Sequence, residues 1–329
     1  MNVLVTGAAG YIGSHAVQAL LKGGHQVVTL DNLSRGHKAA LPPKIPFVEL
    51  DVRDTPSVLE VLQRYRIDCV MHFAAYAYVG ESVEKPLMYF ENNTGGTLSL
   101  LSAISQSECR KLVFSSTCAT YGEPTVMPIT ESTSQEPINP YGASKLFSER
   151  MILDLRAVLP GFACALLRYF NVAGVASDGS LGEHHEPEMH LIPVILQAAL
   201  GQREKVVVFG DDYATADGTC VRDYVHVEDL VEAHVAVMQA LKPGDERIYN
   251  LGIGQGFSVK QIIDAARRVI DRPFEVEIGP RRPGDPPELY ADPSKITNEL
   301  GWQAIRTDIA KTIESAWRWF RDHPHRYPE

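Results

Sequence analysis

The amino-acid sequence predicts a doubly wound α/β fold, with a mostly parallel, Rossmann-like sheet and a smaller C-terminal substrate lobe. Three observations predict it. Short apolar, β-branched runs alternate with longer amphipathic stretches through the first half of the chain. A glycine-rich segment, Thr6-Gly7-Ala8-Ala9-Gly10-Tyr11-Ile12-Gly13, joins the first run to the first amphipathic stretch. After about Phe170 the alternation gives way to loops and isolated helical patterns.

Residues 3–6, 27–30, 47–50, 69–73, 112–116 and 165–169 read as strands. The first and fourth are almost wholly apolar, as in strands buried on both faces of a parallel sheet. Helical patterns fill 12–22, 57–65, 86–105 and 141–159, and Gly23-Gly24 stops the first of them. Such alternation implies βαβ units with right-handed crossovers. Further on, 174–190, 210–219 and 279–287 read as loops, separated by helices near 228–241, 259–270 and 309–321. The expected division is a dinucleotide-binding domain over 1–172 and a substrate lobe over 173–329. Segments near 220–255, and 248–251 in particular, are candidates to return to the first sheet.

Composition narrows the classes of partner. The chain has 329 residues, 45% of them apolar, and a net charge of −10. That balance argues against nucleic acid or an anionic membrane as a partner, since both need clustered Lys and Arg. The N-terminus runs straight into the glycine motif, so no signal peptide is expected, and no apolar run approaches the ~18 residues of a membrane span. Cys69, Cys109, Cys118, Cys164 and Cys220 are scattered, odd in number and without a CxxC pair, which fits a reduced, cytoplasmic protein.

The glycine segment is a nucleotide site in its context. Gly7 permits a tight turn, Gly10 lets backbone approach a pyrophosphate and Gly13 lets the helix pack on the strand. Alone, such a triplet could be an ordinary strand-helix turn; between a strand and a helix it reads as the phosphate site. Asp31 ends the second strand, where a carboxylate accepts hydrogen bonds from the adenosine ribose and repels a 2′-phosphate. NAD is therefore expected over NADP, although Arg35 nearby could soften that preference. Asp51 and Val52, after the third strand, would flank the adenine, and Phe73, Ala74 and Ala75, after the fourth, would line the cleft.

Asn139-Pro140-Tyr141-Gly142-Ala143-Ser144-Lys145 signals a helix start, with Asn139 as N-cap and Pro140 at the first helical position. Tyr141 and Lys145 then share one face. A phenol that ionises near ~10 must be stabilised by about 4 kcal/mol to act as a base near pH 7. A neighbouring ammonium and the cationic nicotinamide of NAD⁺ both act in that direction. Lys145 can also hold the nicotinamide ribose. Tyr-x-x-x-Lys occurs by chance on solvated helix faces and gains meaning only after a nucleotide loop. Thr117, beyond the fifth strand, is placed to hydrogen-bond a substrate hydroxyl, or merely to cap backbone.

These residues resemble the UDP-glucose 4-epimerase family of the extended short-chain dehydrogenases/reductases, across essentially the whole chain. The glycine segment through Ser14-His15, Val79-Gly80-Glu81-Ser82, Tyr141 to Lys145 and Leu167-Arg168-Tyr169-Phe170-Asn171 carry the resemblance. So do Val221-Arg222-Asp223-Tyr224-Val225-His226-Val227, Tyr249-Asn250-Leu251-Gly252 and Arg281-Arg282-Pro283-Gly284-Asp285. The resemblance implies a tightly held NAD⁺ that is not consumed, and a homodimer. It implies Tyr141 as acid/base, Lys145 as its electrostatic partner and Thr117 as the assisting hydroxyl. Tyr11, Ile12, Asp31, Asn32, Asp51, Val52, Phe73, Ala74, Asn92 and Phe170 then match cofactor contacts, beside Gly7, Gly10 and Gly13. Asn171, Leu191, Phe209, Arg222, Tyr224, Arg282 and Asp285 match positions around the UDP-sugar, and a guanidinium fork at Arg222 or Arg282 suits phosphate oxygens.

Three positions depart from the pattern. Ala77 stands where some members have a lysine near the cofactor. His190 stands where some have an asparagine near the pyrophosphate. Leu289 occupies the variable gate of the sugar pocket. His190 with His184 and His185 hints at a metal, but no carboxylate-histidine helix motif accompanies them, so none is expected. The implied reaction interconverts UDP-galactose and UDP-glucose through a 4-keto intermediate, with transient hydride transfer to bound NAD. Alternatives are a 4-epimerase of UDP-N-acetylglucosamine, UDP-xylose/arabinose or a UDP-uronate, a nucleotide-sugar 4,6-dehydratase, and a non-catalytic dinucleotide sensor. The dehydratase needs acids beside Thr117, where Cys118-Ala119 stand. Retention of both Tyr141 and Lys145 argues against the sensor.

Overall fold

The first strands are buried almost throughout, and their side chains point to alternate faces, so the sheet is buried on both. A computed structural model of the chain describes residues 1–327. Its first six strands are β1 (Asn2–Thr6), β2 (Gln26–Asp31), β3 (Phe47–Glu49), β4 (Cys69–His72), β5 (Lys111–Thr117) and β6 (Ala163–Tyr169). Three strands of the second half, β7 (Asn171–Ala173), β8 (Val206–Phe209) and β9 (Val221–His226), precede β10 (Glu246–Leu251). β10 rejoins β6 to complete a seven-stranded parallel sheet of order β10-β6-β5-β4-β1-β2-β3.

Helices cover the sheet as the strand pattern requires. Val3 and Val5 face α1 (Tyr11–Lys22), whose Val17 and Leu20 join the same core. Leu4 points the other way, into a core with Val58 of α2 (Thr55–Arg64). Short helices α3 (Val79–Glu84) and α4 (Pro86–Tyr89) follow β4. The predicted helix over 86–105 is broken by a π-helical turn, Phe90–Gly95, before α5 (Gly96–Ser105). Such turns re-aim side chains, and Asn93 here bonds Tyr76 N–H, Tyr76 O and Ser144 Oγ. α6 (Pro140–Val158) begins where Asn139 accepts the Gly142 N–H at 2.9 Å, a cap worth ~1 kcal/mol.

The second lobe has its own core. α7 (Leu191–Ala199), a helix beyond those the sequence pattern predicts, packs with α9 (Val259–Val269) and α11 (Ile309–Asp322). α8 (Val227–Ala240) instead lies beside α1 on the large sheet, with Leu230, Ala233 and Val237 in that core. Strands β11 (Gly256–Ser258) and β13 (Glu288–Leu289) flank β9, while β12 (Val276–Gly279) pairs with β8. α10 (Ser294–Leu300) completes the set. Gly23 caps α1 with right-handed backbone, and the left-handed residue is Gly24, at φ 75°. Among the described residues no helix is long and apolar enough to cross a membrane.

Candidate active site

The chain leaves β1, winds outward through β2 and β3, then returns to the other side of β1 as β4. The strand order therefore reverses between β1 and β4, and a crevice opens at their carboxyl ends, where open α/β sheets hold ligands. A cleft of ≈ 530 Å³ starts there and runs into the second lobe.

At its floor Gly7 has φ 69°, and a Cβ there would sit 2.5 Å from the Ala74 nitrogen. Any side chain would collide with the segment after β4. The first turn of α1 carries no side-chain cap and no acid, so its N–H groups and positive dipole remain available to an anion. Asp31 is buried, and its oxygens accept the N–H groups of Ala9 at 3.0 Å and Leu33 at 2.8 Å. Burial raises its pKa, opposed by those two bonds. β3 ends at Glu49, so Asp51 and Val52 lie just beyond the strand rather than on it. Asp51 pairs with Arg53 at 2.8 Å and accepts from Asn32 at 3.1 Å. Glycine turn, uncapped helix start and buried strand-end acid together fit a dinucleotide.

The proton-transfer segment sits over the middle of the cleft. A Cβ on Gly142 would meet the Ala119 carbonyl at 2.4 Å, so this glycine permits the close approach of α6 to the turn after β5. That approach sets Tyr141 beside Thr117. Thr117 also accepts the Ala119 N–H at 3.1 Å, so its hydroxyl caps backbone and faces the phenol at once. Burial pushes the Tyr141 phenol well above its ordinary pKa, and hydrogen bonding from Thr117 opposes that. Lys145 is buried too, donating to the Ser115 carbonyl at 2.7 Å with its ammonium 4.9 Å from the Phe114 ring centre. Burial lowers its pKa to about 7, against the pull of Glu149.

The far wall is assembled from the second lobe. β7 pairs with β9 so that Asn171 stands opposite Tyr224, and β13 pairs with β9 so that Leu289 stands opposite Arg222. Asp285 ties the two arginines: it lies 2.9 Å from Arg282 and 3.7 Å from Arg222. Arg282 also lies 5.2 Å from the Phe209 ring centre. Leu289 packs with Cys118, Tyr121 and Phe170. The cleft is lined by Gly7, Gly10, Tyr11, Ile12, Gly13, Asp31, Asn32, Asp51, Val52, Phe73, Ala74, Asn92, Thr117, Tyr141, Lys145 and Phe170. It is lined equally by Asn171, His190, Leu191, Phe209, Arg222, Tyr224, Arg282, Asp285 and Leu289. One cavity thus gathers every candidate site residue.

A model of the NAD dependent epimerase/dehydratase family matches residues 3–252. The chain belongs to this family. It is 48% identical to a UDP-glucose 4-epimerase of Halalkalibacterium halodurans, over 99% of this chain and 98% of that protein. It is 46% identical to a probable UDP-arabinose 4-epimerase of Arabidopsis thaliana, over 99% of this chain and 82% of that one. The crystal structure of a UDP-glucose 4-epimerase from Bifidobacterium longum in complex with NAD⁺ and UDP superposes with a TM-score of 0.95 and 40% identity. It covers 98% of this chain and 99% of that one.

Two features of the site have no counterpart in the motifs of the sequence. The first is a buried network behind Thr117: Arg168 makes a two-pronged bond to Glu149 at 2.9 and 2.7 Å, and Glu149 also accepts from Ser116 and Gln135. Glu149 follows Tyr141 and Lys145 at the same four-residue step, a signal the sequence did contain. The second is a cluster of histidines and glutamates. His184 turns away to stack on His37 at 4.0 Å, while His185 and His190 converge with Glu183 and Glu188 into a group of metal-ligand type.

Proposed function

We infer that this protein is a UDP-glucose 4-epimerase, interconverting UDP-galactose and UDP-glucose through a 4-keto sugar. The observation that carries this is the single cleft in which Thr117, Tyr141 and Lys145 lie between a dinucleotide loop and the Arg222–Asp285–Arg282 cluster. Bound NAD supplies the acceptor and donor for the hydrogen at the sugar's carbon 4, and a cationic ring that favours phenolate. Gly7, Gly10 and Gly13 with α1 hold its pyrophosphate, Asp31 its adenosine ribose and Lys145 its nicotinamide ribose.

Tyr141 takes the proton of the 4-hydroxyl and returns it, with Thr117 bonding the same hydroxyl. Burial disfavours the charged form of both Tyr141 and Lys145, so proton transfer depends on the charges brought into the cleft. Arg222 and Arg282 hold the diphosphate, and Asp285 aligns their guanidinium planes. The hexose, anchored only through its nucleotide, can turn and offer its other face. Binding energy then resides away from the reacting carbon. The turn beside Thr117 offers Cys118 and Ala119 to the cleft and no acid, which favours epimerisation over dehydration.

Two further readings complete the proposal. A homodimer is supported by Leu87, Leu98 and Phe147, which are 79%, 55% and 49% exposed on the adjoining helices α4, α5 and α6. A cytoplasmic setting is supported by five free cysteines. The test is turnover of a panel of UDP-sugars by the purified protein, with bound NAD measured before and after. Interconversion of UDP-galactose and UDP-glucose without net NADH is the expected result. Release of an oxidised sugar with stoichiometric NADH would make it a dehydrogenase.

A further inference from the structure

The loop from Glu183 to His190 carries four side chains that proton transfer does not use. Ligand atoms of Glu183, His185, Glu188 and His190 all lie within 4.8 Å of one another. His185 Nδ1 is 3.2 Å from Glu183 Oε1 and 3.4 Å from Glu188 Oε2. His190 Nδ1 is 3.1 Å from Glu183 Oε1 and 3.0 Å from Glu188 Oε1. A tetrahedral site with bonds of about 2.0–2.1 Å has edges of about 3.3 Å between ligand atoms. Three of the separations, 3.2, 3.1 and 3.0 Å, run to Glu183 Oε1 or Glu188 Oε1 and lie just under that value, while the fourth runs to the other Glu188 oxygen.

Two imidazolium–carboxylate pairs would bring the same groups together, but only one of the two histidines is aligned for such a pair. His190 Nδ1 lines up with Glu188 Oε1 as a hydrogen bond. His185 Nδ1 does not: it is buried with no hydrogen-bond partner, although an oxygen of each carboxylate lies within 3.4 Å. A nitrogen so close to two carboxylates and aligned with neither is satisfied by one ion shared among all three. Charge closes as well. Two carboxylates, two neutral imidazoles and one divalent cation sum to zero, as two ion pairs would, so charge balance is compatible with the metal. Glu183 and Glu188 are 5% and 4% exposed, and among the described residues neither pairs with a lysine or arginine.

The surroundings hold these ligands in place. Glu188 Oε1 accepts the N–H groups of Met189 and His190 at 2.8 Å each, and Arg203 holds the Glu188 carbonyl at 3.0 Å. The His185 ring packs edge-on against Tyr11 and Tyr78, and the His190 ring against Tyr78. Outer contacts of this kind fix ligand orientation in metal sites. Mixed nitrogen and oxygen donors without thiolate suit a borderline transition ion, while magnesium and calcium prefer oxygen alone. We propose that Glu183, His185, Glu188 and His190 bind one divalent ion of zinc type, which fastens the 183–190 loop beside the mouth of the cofactor cleft. The metal reading does not depend on the epimerase reading, although Glu183, His185 and His190 also line the cleft.

The test is metal content. The full chain is dialysed against micromolar zinc, then against metal-free buffer, and analysed by mass spectrometry. About one equivalent should remain, and cobalt(II) in its place should give the intense visible bands of a tetrahedral ion. Glu183→Gln and Glu188→Gln keep the side-chain shape and remove a charged ligand, so each should weaken retention by about tenfold or more. His184→Ala, next in the chain but stacked on His37, should retain the metal. Wild-type protein left without metal, or variants that hold as much as wild type, would overturn the proposal. A variant that fails to fold leaves the other glutamine variant and the wild-type cobalt spectrum to decide.

Discussion

The two walls of the cleft are built in opposite ways. The phosphate-binding part of the cofactor wall is one short stretch of backbone, Gly7 to Gly13, whose action depends on side chains being absent; a Cβ at Gly7 has no room. The sugar-nucleotide wall is made of side chains brought from β7, β9, β13 and the loop holding Arg282 and Asp285. The first should therefore fail when atoms are added, and the second when atoms are removed.

Adding atoms to the cofactor wall should have the largest effect. Gly7→Val forces a branched side chain into positive φ and into the Ala74 backbone, so soluble protein carrying NAD should vanish. Recovery of NAD-bearing protein would break the comparison. Next comes the group between the walls: Tyr141→Phe should lose at least ~10² in turnover while still binding UDP. Near wild-type turnover would remove Tyr141 from its role.

Truncating the sugar-nucleotide wall should be milder and selective. Arg282→Ala should weaken UDP binding about tenfold to a hundredfold, the range for a lost charge-assisted bond. NAD content should stay unchanged; calorimetry with UDP checks the first and assay of the released cofactor the second. Leu289→Tyr should lower any UDP-N-acetylglucosamine activity about tenfold relative to UDP-glucose, read as a ratio of kcat/KM values, because a ring there opposes the acetamido group. Equal loss on both substrates would make Leu289 a packing residue. If the wild type does not turn over the N-acetylated sugar, Leu289→Cys should open that activity.

The smallest effect concerns Lys145 and has a defined sign. Its pKa falls from 10.5 to about 7 on burial. Between those values the unfolded chain binds a proton that the folded chain does not, so stability from this group rises with pH. Below about pH 7 the full burial cost is present. Thermal melts of wild type and Lys145→Met should therefore diverge in favour of wild type as pH rises from 7 to 10. Parallel curves would mean that the ammonium is solvated.

Legibility followed the same divide. The turn at Gly7, the cap at Asn139 and the step from Tyr141 to Lys145 are local, set by φ, by an orphan N–H and by helical periodicity, so sequence alone expresses them. The resemblance named Arg222 and Arg282, but nothing in the spacing of these residues indicates that Asp285 would tie them together. Arg168 is similar: its strand is legible, and its bond to Glu149 is not, because the partner lies 19 residues away on α6.

What the sequence determined by itself is the alternation of strands and helices, the phosphate turn and the start of α6, each governed by interactions within a few residues. The sequence offered 248–251 as a candidate for the sheet, but only the tertiary structure decided that β10 pairs with β6 and that His185 leaves its neighbour His184 to join Glu183, Glu188 and His190. These outcomes depend on which surfaces meet once the second lobe packs. Strand partners and ligand clusters are chosen by burial and alignment across long separations, which periodicity along the chain does not encode.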